Sequence, residues 1–375
     1  MKQLVVIFTL WLAWMPVGAQ KTLTLEECLK LGIENNLSLE GSRNEMRKAK
    51  HLLSENRAKL WPQISAVAGF NDNFNPPVSV TDGSAYGNLY NVTKTLQYNA
   101  SAGLQLQMPL YNQTVYTAVD IARTLNELNR LSYEKAREDL MMQISKMYYL
   151  GQNTMEQLTL IQENMVRLRE LRDITLAFFD NGMAMEVDVK RVNINLENQQ
   201  VQYDNAKSML VQQLNLLKYV MDYPADEEIT LTPVDTERIQ LASLTGLRGD
   251  LYELQLLQSQ EKLAGQQKDL IRQGYLPSLT LTGSWMYSAY TDKARHWFHS
   301  GPSNYWYPST GLGITLRVPI FDGFDKRARI RKAQIDQENA KLNYENTLKN
   351  MQTQYLNATN ELMNNQRNFK KQKDY

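Results

Sequence analysis

The chain has a single cysteine, Cys28, among 375 residues. No disulfide can form within one molecule, which excludes the disulfide-dense secreted scaffolds. Cys28 sits among Leu25, Leu29 and Ile33 and reads as a packed helix position rather than a reactive thiol. Histidine is nearly as scarce, at three residues. His296 and His299 share a predicted loop without the further ligands a metal site needs, and His51 lies on a polar helix. A charge of one sign is lacking too: 41 basic residues face 40 acidic ones, so nothing asks for nucleic acid. Paired acid and base groups, a G-x-S-x-G nucleophile elbow and a phosphate-binding glycine loop are all missing. The reading is that the chain is not an enzyme and carries no cofactor, no resident metal and no nucleic acid. Beyond Met15 no apolar run is long enough for a membrane-spanning helix.

What is present begins with a leader. Lys2 supplies a positive start, Leu4 to Met15 a short apolar core, and Val17 and Ala19 the small residues before a cleavage site at Gln20. Residues 1–19 are therefore expected to be a signal peptide, and the apolar core is shorter than the roughly 20 residues of a spanning helix.

The rest is organised as an internal repeat. Arg57-Ala58-Lys59-Leu60-Trp61-Pro62-Gln63-Ile64-Ser65 returns as Arg272-Gln273-Gly274-Tyr275-Leu276-Pro277-Ser278-Leu279-Thr280. Met108-Pro109-Leu110-Tyr111 returns as Val318-Pro319-Ile320-Phe321, roughly 210 residues later, a duplicated domain rather than a solenoid. Leu131-Ser132-Tyr133-Glu134 returns as Leu342-Asn343-Tyr344-Glu345. Each half reads helix, strand, long loop, strand, very long helix. The division expected is 20–221 for the first repeat, 222–249 for a connector and 250–375 for the second.

Four segments alternate with period two. Ile64, Ala66, Ala68 and Phe70 mark the first. Ala100, Ala102, Leu104, Leu106, Met108 and Leu110 oppose Asn99, Ser101, Gly103, Gln105 and Gln107 in the second. Leu279, Leu281, Trp285, Tyr287 and Ala289 oppose Ser278, Thr280, Thr282, Ser284 and Ser288 in the third. Leu312, Ile314, Leu316, Val318 and Ile320 oppose Gly311, Gly313, Thr315 and Arg317 in the fourth. Each runs to about ten residues, the length a tilted strand needs to cross hydrocarbon. The apolar faces are expected to meet lipid, with Leu104, Leu106, Met108, Leu312, Ile314, Leu316 and Val318 as the lipid-facing set, and the polar faces to line water. The 20 tyrosines and 6 tryptophans gather around the predicted strand tips, as in aromatic girdles. Long polar loops, Asn71 to Thr95 and Thr291 to Tyr307, join the strands of each pair. Four strands are too few to close a pore, so several copies are expected to share one.

The helices complete the pattern. No proline occurs between Pro109 and Pro224. From Asn112 to Phe179 apolar residues recur at three and four on a narrow stripe, as in a coiled-coil seam, over a length on the order of 100 Å. Asp180-Asn181-Gly182 breaks the run, and a second helix returns from about Val187 to Val220, an antiparallel hairpin. Thr24-Leu25-Glu26-Glu27 is a capping box opening a short helix. Further helices are expected from Leu37 to Leu60 and from Asp250 to Gln273. The basic run Lys326-Arg327-Ala328-Arg329-Ile330-Arg331-Lys332 reads as a solvated helix start, with attraction of anionic headgroups or anionic cargo as the other reading.

These motifs together resemble the TolC family of outer-membrane efflux and secretion channels. Leu23-Thr24-Leu25-Glu26-Glu27-Cys28-Leu29 with Asn35-Asn36-Leu37-Ser38-Leu39 is similar to the family's amino-terminal motif. Leu276-Pro277-Ser278-Leu279-Thr280-Leu281-Thr282-Gly283 is similar to the start of its strand, and Val318-Pro319-Ile320-Phe321-Asp322-Gly323-Phe324 resembles the junction into the second long helix. Asn181-Gly182-Met183-Ala184-Met185-Glu186-Val187-Asp188-Val189 resembles the tip turn of the first helical hairpin. One departure is Gly249, where the family often has proline.

The resemblance implies an α+β membrane protein. Each protomer would give four strands to a shared transmembrane β-barrel, and its long antiparallel coiled-coil helices would form a periplasmic α-barrel. It implies a homotrimer in the outer membrane of a Gram-negative cell, extending into the periplasm and in contact with outer-membrane lipid. A periplasmic adaptor and an inner-membrane pump are the implied partners, with Gly182, Met183 and Asp188 at the tip contact and Pro109 and Pro319 at the strand–helix junctions. The implied function is a passive exit duct of an efflux or type I secretion system, gated at the periplasmic tip. A soluble periplasmic coiled-coil scaffold or adaptor is the other reading. The second repeat stops at Tyr375, aligned near Asn164 of the first, so a second tip turn and a last helix are expected to be lacking, with a helical seam left open.

Overall fold

A computed structural model describes residues 21–82, 87, 89–94, 96–234, 251–291 and 306–373. The leader, the His296 to His299 segment and most of the connector lie outside the described residues. The chain divides into two compact units, each drawing on both repeats. One comprises residues up to Met46, Asn129–Glu253 and the residues from Lys349 onward; the other comprises Arg47–Leu128 and Leu254–Leu348.

The first unit opens with a short strand β1 (Lys21–Leu23) and a helix α1 (Leu25–Asn35). Thr24 caps α1 as its sequence foretells. The Thr24 hydroxyl accepts from the Glu27 amide, and the Glu27 carboxylate accepts from the Thr24 amide at 2.8 Å, which satisfies two amides the helix leaves without intrahelical partners. Asn36 then separates α1 from α2 (Leu37–Ala58). Its side-chain Nδ2 donates to the Val220 carbonyl and its side-chain oxygen accepts from the Leu39 amide.

Two long helices follow, α3 (Gln113–Asp180, 68 residues) and α4 (Glu186–Met221, 36 residues). Both ends of each fall within a residue or two of the sequence expectation. Ile161 and Met165 of α3 pack against Ala206 of α4, with Leu158, Leu196 and Tyr203 around them, so the apolar stripe is a seam between antiparallel neighbours.

The main core of this unit gathers Leu23, Cys28, Leu39, Leu140, Ile144, Tyr148, Leu217, Met221 and Leu231. It is closed by β6 (Ile229–Leu231), which pairs in parallel with β1, Lys21 opposite Ile229 and Leu23 opposite Leu231. The Tyr148 hydroxyl donates to the Leu23 carbonyl and the Gln152 amide to the Thr232 carbonyl, which ties α3 to this two-stranded ribbon. Lys218 is buried, and its ammonium donates to the carbonyls of Ala225 and Glu227. From sequence β1 was read only as part of the first repeat and β6 only as part of the connector.

The second unit holds a four-stranded antiparallel sheet of β2 (Gln63–Asp72), β5 (Tyr98–Tyr111), β7 (Ser278–Thr291) and β8 (Trp306–Arg317), in the order β2-β5-β7-β8. All four expected strands are present, two of them with 14 residues rather than about ten. The expected loop after β2 holds a further hairpin, β3 (Val78–Asp82) with β4 (Tyr90–Lys94). Helix α5 (Tyr252–Gln273) lies beside α6 (Asp325–Lys373): Lys268 donates to Gln337 at 2.8 Å, and Gln337 also packs over Gly265.

Pro109 lies inside β5 rather than after it, where the register with β7 shifts between Pro109 and Tyr111. A proline has no N–H to give to the ladder, so a sheet accommodates it at an irregularity near a strand end. Val318 and Pro319 follow the last residue of β8, Arg317.

Candidate functional site

The strand register sorts the side chains onto two faces, because residues directly opposite each other in an antiparallel ladder share a face. One face carries Ile64–Leu106–Gly283–Leu312, Ala66–Leu104–Trp285–Thr310 and Met108–Leu281–Ile314 in successive rows. The other carries Gln63–Gln107–Thr282–Gly313 and Ser65–Gln105–Ser284–Gly311. Of the residues expected to meet lipid, Leu104, Leu106, Met108, Leu312, Ile314 and Leu316 therefore lie on one face, which also carries Thr310, while Val318 lies beyond the end of β8; Gln63, Ser65, Gln105, Gln107, Thr282 and Ser284 lie on the other face. Leu312, Ile314 and Leu316 are 77%, 65% and 63% exposed. No other part of the sheet covers that face.

The polar rows, with Ile64, Leu106, Gly283 and Leu312 of the row between them, line a trough of about 720 Å³. Small residues keep it open. A Cβ at Gly103 would lie 2.2 Å from the Trp285 carbonyl oxygen, so only glycine lets these two strands approach there. Gly311 and Gly313 likewise leave room beside the hydroxyls of Ser284 and Thr282. The trough gathers neutral hydrogen-bonding groups with no acid–base pair, a surface suited to wetting rather than to bond making.

Among the described residues both edges of this sheet are open. β2 and β8 each pair on one side only, and they run antiparallel to each other in the alternation of the sheet. Successive copies of the sheet would thus continue the ladder antiparallel, β8 of one against β2 of the next.

The second candidate region is the turn between α3 and α4. Gly182 has φ +72°, and the amides of Gly182 and Met183 donate to the carbonyls of Phe179 and Phe178. This is the paired hydrogen-bond pattern of a Schellman motif, with glycine at its left-handed position. The Asp188 carboxylate accepts from the Met185 amide at 3.2 Å and so caps the start of α4. Met183 is 70% exposed, and Phe178, Phe179, Met185 and Val187 are also exposed. The turn thus places Gly182, Met183 and Asp188 close together under a cap of uncovered apolar side chains.

The strand–helix junction after β8 is built around Asp322. Its carboxylate accepts from the amides of Phe324 and Lys326 at 3.1 and 3.2 Å and from the Lys326 ammonium at 3.1 Å. The Lys326 side chain holds the Asp322 carboxyl below the usual carboxylate range. Gly323 and Phe324 both have positive φ, +64° and +66°. For Phe324 that conformation is strained, and nothing in the residue itself foretells it.

Comparison with known proteins bears on the family and the fold. The model of the "Outer membrane efflux protein" family matches residues 29–221 and 251–374. The outer membrane protein TolC of Vibrio cholerae is 23% identical over 325 residues, covering 83% of this chain and 68% of that protein. The probable efflux pump outer membrane protein TtgC of Pseudomonas putida is 21% identical over 336 residues, covering 86% of this chain and 65% of that protein. The chain thus spans about two thirds of the length of these relatives. The solved structure of CusC, described as undergoing conformational change on folding and transmembrane channel formation, superposes with a TM-score of 0.70 at 16% identity, over 87% of this chain and 72% of that one. That likeness establishes the fold.

Proposed function

Because the chain belongs to the outer membrane efflux protein family, we propose that it is a protomer of an outer-membrane exit duct, a passive conduit through which a pump drives its cargo. The observation that carries this is the register of the sheet. Alternation alone could describe a half-wet soluble strand, but here four strands in fixed register gather Ile64, Leu104, Leu106, Met108, Leu281, Trp285, Leu312 and Ile314 on one face, while Val67 and Met286 lie on the other. In water such a patch is costly, at about 25 cal/mol for each Å² that lipid would cover. In hydrocarbon it is the expected outer wall, with the polar trough as the inner one.

Four strands with two open edges support closure by other copies. Three copies would give the twelve-stranded barrel that the family resemblance implies, with β8 of each pairing β2 of the next. The helices would then continue the duct into the periplasm as an α-barrel, residues 20–221 and 250–375 acting as two versions of one unit joined through 222–249. At the turn, Gly182 and Asp188 hold Met183 and its apolar neighbours in place for a periplasmic adaptor, which in turn recruits the inner-membrane pump. No chemistry is asked of the chain itself, and the energy comes from the partner.

Reconstitution into planar bilayers tests the reading. The wild type should give oligomer-dependent conductance, and Gln105→Glu, which adds a negative charge to the polar row, should shift selectivity toward cations. Extraction from membranes by carbonate together with no conductance in lipid would overturn the duct and favour a soluble scaffold.

A further inference from the structure

The junction after β8 frames a hollow of about 550 Å³ between Tyr275, Phe321 and Phe324 on one side and Arg327 and Arg331 on the other. Arg327 and Arg331 stand one helical turn apart. Like charges at that spacing repel each other, and neither has an ion-pair partner among the described residues. The neighbouring charges are already engaged. Asp322 is held by Lys326 and two amides, Lys326 also lies 5.1 Å from the Tyr275 ring centroid, and Arg329 pairs with Asp325. Asp322 also lines the hollow, but its carboxylate is taken up by Lys326 and the two amides, so the site has two guanidinium groups in excess.

The hollow also has a defined position along the sheet. The apolar alternation of β8 continues past its end through Val318 to Ile320, which is 94% exposed. Phe321 stands against Phe324 in an edge-to-face pair with centroids 5.5 Å apart. Uncovered aliphatic and aromatic side chains at the end of a lipid-facing strand mark the level of the headgroups. The first repeat has a comparable hollow of about 430 Å³ beside Trp61, but there Arg123 is bonded to Asp120 at 2.7 Å.

We infer that the hollow between Phe321, Phe324, Arg327 and Arg331 receives the phosphate headgroup of an anionic membrane lipid. The two arginines bind the phosphate oxygens, and Ile320 and Phe321 meet the first methylenes of the acyl chains. Arginine suits this role because its planar fork matches phosphate geometry. The inference rests on the sheet facing lipid, as proposed above.

Binding of short-chain phosphatidylglycerol and short-chain phosphatidylcholine to the purified full chain in neutral detergent tests it, with insertion scored separately by carbonate extraction. Phosphatidylglycerol should bind more tightly than phosphatidylcholine, by about fivefold for each arginine engaged and so about twenty-five-fold for the pair. Arg327→Gln with Arg331→Gln should abolish the preference. Arg329→Gln with Lys332→Gln removes the same net charge from the same helix and should keep it. Equal loss in both double variants would reduce the effect to diffuse charge and overturn the site. No preference in the wild type would overturn it too, as would loss of oligomer instead of lipid in the first double variant, which would assign the hollow to a neighbouring copy. Failure of the wild type to resist carbonate while the preference persists would count against the duct, not against this site.

Discussion

Arginine introduced along β5 separates lipid from water as the medium outside the apolar face. Leu104 sits near the middle of the 14-residue strand, opposite Ala66 and Trp285, and is 42% exposed. Little intrachain packing is therefore lost on substitution, and the longer stem of arginine covers the same neighbours. Were the face in water, Leu104→Arg would change stability by about 0.5 kcal/mol or less. Against hydrocarbon at the bilayer midplane it should cost about 2–4 kcal/mol. That is about a 30- to 700-fold loss in the folding equilibrium. Met108 lies four residues further along, about 10 Å nearer the interface for a tilted strand. Met108→Arg should therefore cost about 1 kcal/mol or less. Gln105→Arg, one residue away but on the polar face, should be near neutral. The assay is refolding from guanidinium into phosphatidylcholine vesicles, followed by tryptophan fluorescence. Equal penalties at 104 and 105, or no gradient from 104 to 108, would refute the lipid-facing assignment whatever happens to conductance.

Other outcomes follow from the helical unit and its tip. Ile144 is fully buried and fills the space that Gly32 leaves, where a Cβ would approach its Cδ1 to 2.3 Å. Ile144→Ala should cost about 2–5 kcal/mol in chemical denaturation, and Gly32→Ala should be less harmful in that background than in the wild type, a double-mutant coupling of about 1 kcal/mol or more. Gly182→Ala forces a Cβ into a left-handed turn and should loosen the tip by about 1–2 kcal/mol. Gly182→Asn should be milder, and faster amide exchange confined to the turn is the readout. Burial, assisted by the Glu27 carboxylate, pushes the Cys28 thiol from 9.0 up to about 11. The unfolded chain therefore ionises first, and the contribution of Cys28 is fully present below pH 9 and lost as the pH rises through about 11. The stability difference between the wild type and Cys28→Val should fall over that window, and a flat difference would contradict the burial argument.

Strong, repeated local signals made much of this legible in the amino-acid sequence. Thr24 and Glu27 advertise a helix start because both reciprocal bonds need only three residues of chain. The Asn181-Gly182 turn is legible because only glycine enters the left-handed position freely. The sheet could be placed because period two persists through Leu312, Ile314 and Leu316. The β1–β6 ribbon is invisible for the opposite reason. Three residues are too few to show alternation, and their partner is set by the core around Ile144 and Leu217 rather than by any local rule. The β3–β4 hairpin was hidden by its short strands and by the neighbouring Pro76-Pro77 and Asp82-Gly83, which read as loop. The extra length of β5 and β7 comes from Tyr98, Tyr111, Tyr290 and Thr291, polar and aromatic groups at the strand ends where the alternation that locates a strand gives out. The two unpaired guanidinium groups at the last junction were read only as a basic run, since the sequence does not say which of its charges Asp322 and Asp325 neutralise.

The parallel ribbon also sets an order of events. The Leu23 carbonyl accepts from Thr232 across a separation of 209 residues, so the amino-terminal segment cannot dock until that downstream segment is present. Local helices form within microseconds, but this latch waits for a partner segment more than 200 residues downstream. A newborn chain must carry an unsatisfied amino-terminal segment through that delay, and chaperones that hold extended polypeptide have their longest opportunity there.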